Sequence, residues 1–153
     1  MTNYKKFQFG WLITLFFGLI IIFLSLCHFY QWGNKPLPFE GFIGFVIFFL
    51  VILLQFYGNT IIVNDNQIIL KIGIGIIKKK FDLSSIKSVE IIKLPFWAGY
   101  GIRYTGSGYL YNVSGRMAIE LKFKARSSMV QIGSDDCENL KNNIDSKIKK
   151  FSG

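Results

Sequence analysis

The chain has 153 residues, a formal net charge of +9 at pH 7, two cysteines and one histidine. Two cysteines on different predicted elements exclude a disulfide framework. A single histidine, placed at the end of an apolar run, excludes HxH and HExxH metal sites and a Ser-His-Asp triad. The positive charge suggests a polyanionic partner, either nucleic acid or an anionic membrane surface.

Two nearly uninterrupted apolar runs, residues 11–30 and 41–57, hold no Lys, Arg, Asp or Glu. Each is close to the length of about 20 residues that a helix needs to cross a bilayer. We predict transmembrane helices at about 9–30 and 40–57. Burial in a soluble core would need a large shell, and only about a hundred residues remain, mostly with strand-like patterns. A signal peptide fits poorly, because the first run exceeds an h-region of about 7–15 residues.

The segment between the runs contains Gly33, Asn34, Pro36 and Pro38, which predict a tight connection and therefore an antiparallel hairpin. Aromatic residues at the ends of the helices, Tyr4, Phe7 and Phe9 among them, are expected at the membrane interface. Basic residues set the orientation by the positive-inside rule, because Lys35 stands alone in the loop. They flank the hairpin on the other side at Lys5, Lys6, Lys71, Lys78, Lys79 and Lys80. We expect both termini in the cytoplasm, with a hairpin over residues 1–58 and a cytoplasmic domain over residues 59–153.

After Thr60 the hydrophobic period changes from helical to the alternation that is typical of strands. The clearest strand covers residues 117–123, where Met117, Ile119, Leu121 and Phe123 share one face. We predict about seven antiparallel strands in a barrel or a two-sheet sandwich. The predicted strands cover residues 60–63, 68–72, 76–81, 88–94, 110–113, 117–123 and 129–132.

A C-terminal amphipathic helix is predicted at about residues 135–150. Asp135 is the expected N-cap, and Glu138 three residues later could complete a capping box. One apolar stripe joins Cys137, Leu140, Ile144, Ile148 and Phe151. Such a stripe needs a sheet to cover.

The order of strands followed by one helix is similar to that of the bacterial pleckstrin-homology-like (PH-like) domain of small membrane proteins with N-terminal transmembrane helices. Four segments over about residues 60–150 carry the resemblance: Leu83-Ser84-Ser85-Ile86-Lys87-Ser88-Val89, Tyr100-Gly101-Ile102-Arg103, Tyr111-Asn112-Val113-Ser114-Gly115 and Ile132-Gly133-Ser134-Asp135-Asp136-Cys137-Glu138-Asn139-Leu140. The resemblance implies a PH-like α+β fold at a membrane and supplies no catalytic residues. It permits a role in resistance or immunity to antimicrobial peptides, because some relatives have one.

The sequence contains no constellation typical of an active site, so we expect no enzyme, no catalytic residue, no metal and no cofactor. Asp135 and Asp136 could suggest acid-base catalysis, but helix capping explains Asp135 with fewer assumptions. The segment Gly73-Ile74-Gly75 lacks the spacing of a nucleotide-binding loop. For His28, a hydrogen bond to the backbone is expected rather than a proton relay.

A membrane-facing surface follows from strand order. An antiparallel meander that starts at the membrane returns to it after its second and fourth strands, so the turns near Ile74 and Trp97 should lie on that side. The candidate contacts with anionic lipid are Lys71, Ile74, Lys78, Lys79, Lys80 and Trp97. For each Lys close to the inner leaflet the attraction is about 1 kcal/mol. Because the basic residues are spread along the chain and the membrane is nearby, we expect lipid rather than nucleic acid as the polyanion. A solvated basic surface that only enforces topology is the alternative.

A segment rich in glycine and aromatic residues could bind a protein or peptide, since Tyr and Arg are enriched in binding hot spots. Its candidate residues are Tyr100, Arg103, Tyr104, Tyr109 and Tyr111. The alternative is a structural corner, where glycines allow the sheet to bend. We therefore expect a non-enzymatic, membrane-anchored PH-like module that presents a lipid-, protein- or peptide-binding surface at the inner leaflet. The second hypothesis is a structural subunit of a membrane oligomer assembled through the hairpin.

Overall fold

The computed structural model describes residues 4–95, 98–106, 108–125 and 127–151, without the side chain of Phe151. It contains two long apolar helices, a β-rich region and a C-terminal helix. The helices are α1 (Trp11–Phe29), α2 (Phe39–Phe56) and α3 (Cys137–Ile148). The strands are β1 (Tyr4–Phe9), β2 (Gly58–Val63), β3 (Gln67–Ile72), β4 (Ile77–Asp82), β5 (Ile86–Lys93), β6 (Gly101–Tyr104), β7 (Gly108–Asn112), β8 (Met117–Phe123) and β9 (Met129–Gly133). Short 3-10 helices cover Leu83–Ser85 and Lys149–Phe151.

Helices α1 and α2 are long and apolar enough to cross a membrane, and neither has a buried residue. Large side chains such as Phe16 and Phe29 are 61% and 77% exposed. Core helices of a soluble protein would instead bury most of their side chains. The helices pack on each other at Phe17 and Phe49, whose ring centroids are 5.9 Å apart. At the loop end His28 bonds to the backbone as expected, because its Nδ1 lies 3.0 Å from Leu37 O.

The strand β1, which immediately precedes α1, was not predicted. It pairs antiparallel with β2 from Tyr4↔Val63 to Phe9↔Gly58. From the sequence these residues were expected only at the membrane interface, because the six-residue strand lies beside a much stronger helical signal. Gly10 alone separates β1 from α1, and its N–H donates to Tyr57 O at 2.7 Å. Both ends of the hairpin therefore continue directly into paired strands.

The nine described strands form two sheets rather than a closed barrel. The first sheet has the order β1-β2-β3-β4 and the second has the order β5-β8-β9-β7-β6. The expectation of purely antiparallel pairing is wrong at one place, because β7 and β9 are parallel. The short strand β6 was also missed; it is only four residues long, and Gly99 and Gly106 lie just beyond its two ends. The α+β class and the two-sheet arrangement agree with the prediction.

The main core lies between the two sheets and α3. Ile61, Leu70, Ile119 and Leu140 are each no more than 1% exposed and belong to one cluster. Phe56, at the end of α2, packs against this cluster. The last turn of the apolar hairpin is thus part of the domain's own packing.

Helix α3 begins at Cys137, with Asp136 rather than the predicted Asp135 as N-cap. The predicted capping box does not form. The hydroxyl of Ser134 accepts from the N–H of Asp136 at 3.1 Å, and the Tyr4 hydroxyl donates to Asp136 Oδ2 at 3.1 Å. Burial, followed by the charge of Asp136, raises the pKa of Tyr4 above its ordinary value. The carboxylate is used to hold β1 rather than to cap the helix.

The face of α3 that meets the sheets is apolar except at its end. Cys137, Leu140 and Ile144 are buried as predicted, and burial raises the pKa of the Cys137 thiol to about 11. Lys147, in the last turn of α3, is also buried. Its Nζ bonds to Asp65 Oδ1 at 3.1 Å, beyond the end of β2. Because a buried ammonium needs a partner, this pair fixes the end of the helix against the first sheet.

Candidate membrane-facing surface and groove

The outer face of the first sheet is basic. Because alternate residues of a strand point to opposite faces, strands that place Ile61, Leu70 and Phe81 in the core must point their other side chains outward. One outward row runs Phe7, Thr60, Lys71 and Lys78. The next runs Lys5, Ile62, Ile69 and Lys80. We call Lys5, Lys71, Lys78 and Lys80 on this face the basic face.

The basic face is held at a fixed position relative to the hairpin. Its first row lies two residues along β1 and β2 from the pair Phe9↔Gly58, where the strands meet the helices. At about 3.4 Å per residue this is about 7 Å. Lys71 and Lys78 are direct cross-strand partners. Like charges placed opposite each other are destabilising, unless an anion lies between or above them.

No acidic side chain of the described residues forms an ion pair with the basic face. The ion pairs present are Lys6–Asp135, Lys122–Glu90, Lys122–Glu120 and Lys147–Asp65. The basic face therefore keeps its charge available to an external anion.

Lys79 differs from its neighbours. It alternates with Lys78 and Lys80 and so shares the core side of β4 with Ile77 and Phe81, yet it is exposed at the edge of the sheet. Charged residues on edge strands, especially inward-pointing ones, prevent edge-to-edge aggregation. The geometry thus favours a structural role for Lys79 and separates it from the predicted lipid contacts Lys78 and Lys80.

The turn that contains Ile74 lies against the end of α2. The N–H of Gly73 donates to Gly58 O at 2.7 Å, and the N–H of Ile74 donates to Leu54 O at 3.2 Å. Ile74 is 57% exposed, beside the helix that the sequence assigns to the bilayer. The turn is therefore at the hairpin end of the domain. Trp97, the other apolar contact predicted for this side, lies outside the described residues.

The predicted partner-binding residues do not form one surface. Tyr111 is only 4% exposed and belongs to the main core. Tyr104 and Tyr109 are exposed cross-strand partners with ring centroids 5.5 Å apart. The Arg103 guanidinium packs against the backbone of Gly99, where an added Cβ would lie 3.1 Å from Nη2. Only the Tyr104 and Tyr109 pair keeps the character of an aromatic contact surface.

Two cavities flank the segment that follows β5. The first, which we call the interface groove, has a volume of about 440 Å³ and is lined partly by α1. Its lining residues are Leu12, Leu94, Pro95, Ala98, Gly99, Tyr100, Asn112, Gly115 and Arg116. The second, of about 500 Å³, lies on the outer face of the second sheet between Leu94, Arg103, Leu110 and Gln131. The predicted residues Tyr100 and Arg103 therefore belong to different cavities.

Sequence reasoning missed the interface groove. It brings together residue 12 and residues 94–116, which only the tertiary fold places side by side. Arg116 follows Gly115 in a hairpin turn and belongs to no recognisable sequence motif. Asn112 gave one signal, since an Asn near the Ser-Gly turn often bonds the backbone of that turn. Its Nδ2 donates to both Gly99 O and Gly115 O at 3.2 Å.

The outer face of the second sheet carries charges that are paired with each other. Lys122 Nζ lies 2.7 Å from Glu90 Oε1 and 3.8 Å from Glu120 Oε1. Gln131 Nε2 donates to Glu120 Oε2 at 2.8 Å. Hydrogen bonding to Glu90 raises the pKa of Lys122. Among the described residues, no three His, Cys, Asp or Glu side chains form a group that could hold a metal ion.

No protein-family model matches the chain, and no characterised protein matches it significantly.

Proposed function

We propose that this protein is a non-enzymatic membrane module whose helical hairpin holds the two-sheet domain at the inner leaflet, where the basic face contacts anionic lipid head groups. The observation that carries the proposal is the direct continuation of the hairpin into β1 and β2. With Gly10 as the only residue between β1 and α1, the first row of lysines stays close to the helix ends. Attraction to an anionic leaflet falls off within about 10 Å. The first row of lysines, about 7 Å from the helix ends along the strands, is therefore close enough to be attracted.

The proposed topology places both termini in the cytoplasm. It is supported by the position of the basic face on the same side as the termini and by the lone Lys35 in the opposite loop. A protease added to intact cells should leave the domain uncut. Cleavage within residues 59–153 from outside would place the domain on the other side and exclude inner-leaflet binding.

A PH-like identity for the domain remains part of the proposal. It is supported by the two sheets and the closing helix α3 that covers the core. The parallel β7–β9 pair and the additional strand β1 depart from an all-antiparallel PH-like order. A lipid partner suits the basic face better than a cationic antimicrobial peptide, which the same lysines would repel.

The test uses the full-length chain, because a fragment that starts at residue 59 would lack β1 and would uncover the edge of β2. Thermal unfolding is measured in neutral detergent with added dioleoylphosphatidylglycerol, an anionic lipid, or dioleoylphosphatidylcholine, which has no net charge. We expect the anionic lipid to raise the midpoint more than the neutral one does. At about 1 kcal/mol per lysine, the triple variant Lys71→Gln, Lys78→Gln and Lys80→Gln should lose most of that gain.

Lys87→Gln is the matched control, because Lys87 is an exposed strand lysine outside the basic face. Anionic lipid should raise the unfolding midpoint of this variant as much as it raises that of the unmodified chain. Raising the salt concentration to about 0.5 M should weaken the gain for the unmodified chain. Equal gains for the triple variant and the unmodified chain would contradict the proposal.

A groove on α2 supports a second candidate function, assembly of a membrane oligomer. Gly41, Gly44, Phe45 and Phe48 line a cavity of about 350 Å³ on this helix. A Cβ added at Gly44 would meet nothing within 4 Å, so the helix surface is open to another helix. Small residues permit close helix approach in membranes. Chemical cross-linking in membranes should detect an oligomer that Gly44→Leu disrupts, and equal cross-linking of both chains would contradict this role.

A further inference from the structure

We propose that the interface groove binds one anionic phospholipid, with the phosphate of its head group at Arg116 and an acyl chain beside Leu12. The inference deepens the proposed function and rests on it, because it takes the hairpin to lie in a bilayer. It concerns a different part of the surface, however, and a single bound molecule rather than a general attraction to the leaflet.

The position of the groove favours a lipid. Leu12 is the second residue of α1, so one wall of the groove is the membrane end of an apolar helix. The other walls come from the two-sheet domain, including Leu94 and Ala98, which are 4% and 5% exposed. A molecule in this groove would contact the bilayer at one end and the domain at the other. This is the arrangement that an amphiphile requires.

The charge of the groove favours an anionic head group. Arg116 is exposed, and among the described residues that line the groove it is the one Lys, Arg, Asp or Glu. A guanidinium can donate two parallel hydrogen bonds to a phosphate. Tyr100, another lining residue, carries a hydroxyl group that can donate a hydrogen bond. The described part of the lining contains no carboxylate that would repel the head group.

The walls of the groove are fixed before a ligand binds. Asn112 is 2% exposed, and its side-chain amide bonds to Gly99 O on one wall and to Gly115 O on the other, both at 3.2 Å. Gly99 and Gly115 have φ angles of +65° and +79°, which favour glycine at both bends. Because the two bends share one buried amide, the opening keeps its width. A volume of about 440 Å³ lies within the range of ligand-binding pockets.

Native mass spectrometry of the full-length protein in detergent can count bound lipids. The probes are dioleoylphosphatidylglycerol and dioleoylphosphatidylcholine, titrated separately. We expect one phosphatidylglycerol to bind at least tenfold more tightly than phosphatidylcholine. Arg116→Gln should reduce the affinity for phosphatidylglycerol at least tenfold. Lys87→Gln should leave it unchanged.

Leu12→Trp provides a second variant, because it narrows the groove without changing charge or apolar character. It should reduce binding of the tight phosphatidylglycerol at least tenfold while the far-ultraviolet circular dichroism spectrum is preserved. Full retention of the tight lipid by both Arg116→Gln and Leu12→Trp would overturn the inference. Equally tight binding of sn-glycerol 3-phosphate would show a site for a free phosphate ester and would also overturn it.

The two proposals fail in different ways. If the groove is the site, the triple lysine variant keeps the one tightly bound phosphatidylglycerol. If that variant loses the lipid while Arg116→Gln keeps it, the groove is overturned and the basic face stands. If the triple variant keeps the full thermal gain, the basic face is overturned, whatever the groove binds.

Discussion

The outer faces of the two sheets carry the same kinds of charged residue in opposite arrangements. On the second sheet Glu90, Glu120 and Gln131 form one cross-strand row, and Lys122 from the neighbouring row forms ion pairs with both glutamates. On the first sheet Lys71 faces Lys78 directly, without an acidic partner among the described residues. The charges on the second face pair with each other, whereas the lysines of the first face form no ion pair with any described residue. The unbalanced face is also the one whose strands continue directly into the two long apolar helices.

The largest effect is expected where the first sheet meets α2. Gly73 has a φ of +58°, and a Cβ there would lie 2.1 Å from Gln55 O. Gly73→Ala should therefore lower the free energy of unfolding by about 3 kcal/mol, since the backbone must move as well as adopt a strained φ. It should also reduce the thermal gain from phosphatidylglycerol, because the basic face loses its fixed position. Thermal unfolding with and without the lipid measures both.

Gly75→Ala is the matched control in the same turn. Its φ of +92° also disfavours a side chain, but a Cβ there meets nothing within 4 Å. Gly75→Ala should therefore lower the free energy of unfolding only by the conformational cost of about 1–2 kcal/mol. The rise in unfolding temperature caused by phosphatidylglycerol should be retained. Equal destabilisation by the two variants would show that contact with α2 does not constrain the turn.

A smaller effect is expected at Tyr4, which joins β1 to the start of α3. Tyr4→Phe removes the hydrogen bond to Asp136 and should cost about 1–2 kcal/mol near neutral pH. Because the folded pKa of Tyr4 is raised, its contribution is fully present below the ordinary pKa of 10.0 and is lost as pH rises above that value. The unfolded chain ionises there while the folded chain stays protonated.

Denaturant unfolding at pH 8 and at pH 11 checks this prediction. The stability advantage of the unmodified chain over Tyr4→Phe should shrink at the higher pH. An advantage that grows with pH would mean that the ionised Tyr4 is the form favoured by folding, contrary to its buried position beside a carboxylate.

The smallest effect is expected on the balanced face. Lys122→Gln breaks an exposed ion pair, for which typical contributions are below about 1 kcal/mol. Stability should fall slightly, and the thermal gain from phosphatidylglycerol should not change. Lys78→Gln should show the reverse, with little change in stability and a weaker lipid response. If Lys122→Gln weakens the lipid response as much as Lys78→Gln does, the contrast between the two faces has no functional meaning.

The sequence predicted the elements whose signal is local and strong. The helices α1 and α2 begin and end within two residues of their predicted bounds, because an uninterrupted apolar run has one stable arrangement. Seven strands were recognised from alternation. The location of the turn at Ile74 also followed from strand order. The position of Trp97 and any contact it makes stay predictions.

What the sequence did not predict depends on contacts between distant segments. β1 is recognisable only through its partner β2, and the parallel β7–β9 pair only through the crossover between them. The interface groove needs Leu12 and Arg116 side by side. Burial of Lys147 was missed because its partner, Asp65, lies 82 residues earlier. Charge alone could not distinguish the basic face from the balanced one, because pairing is decided by strand register.

The most direct test of the central claim measures how close the basic face lies to a bilayer. Two variants, Lys78→Cys and Lys122→Cys, are each made in a chain that also carries Cys27→Ala and Cys137→Ala, so that each variant holds a single spin label. Both are placed in phosphatidylglycerol vesicles that contain a nickel-chelating lipid. Power saturation reports the relaxation of each label by nickel at the head groups. Strong relaxation at position 78 and weak relaxation at position 122 is the predicted result. Equal relaxation at the two positions, or stronger relaxation at position 122, would contradict the account.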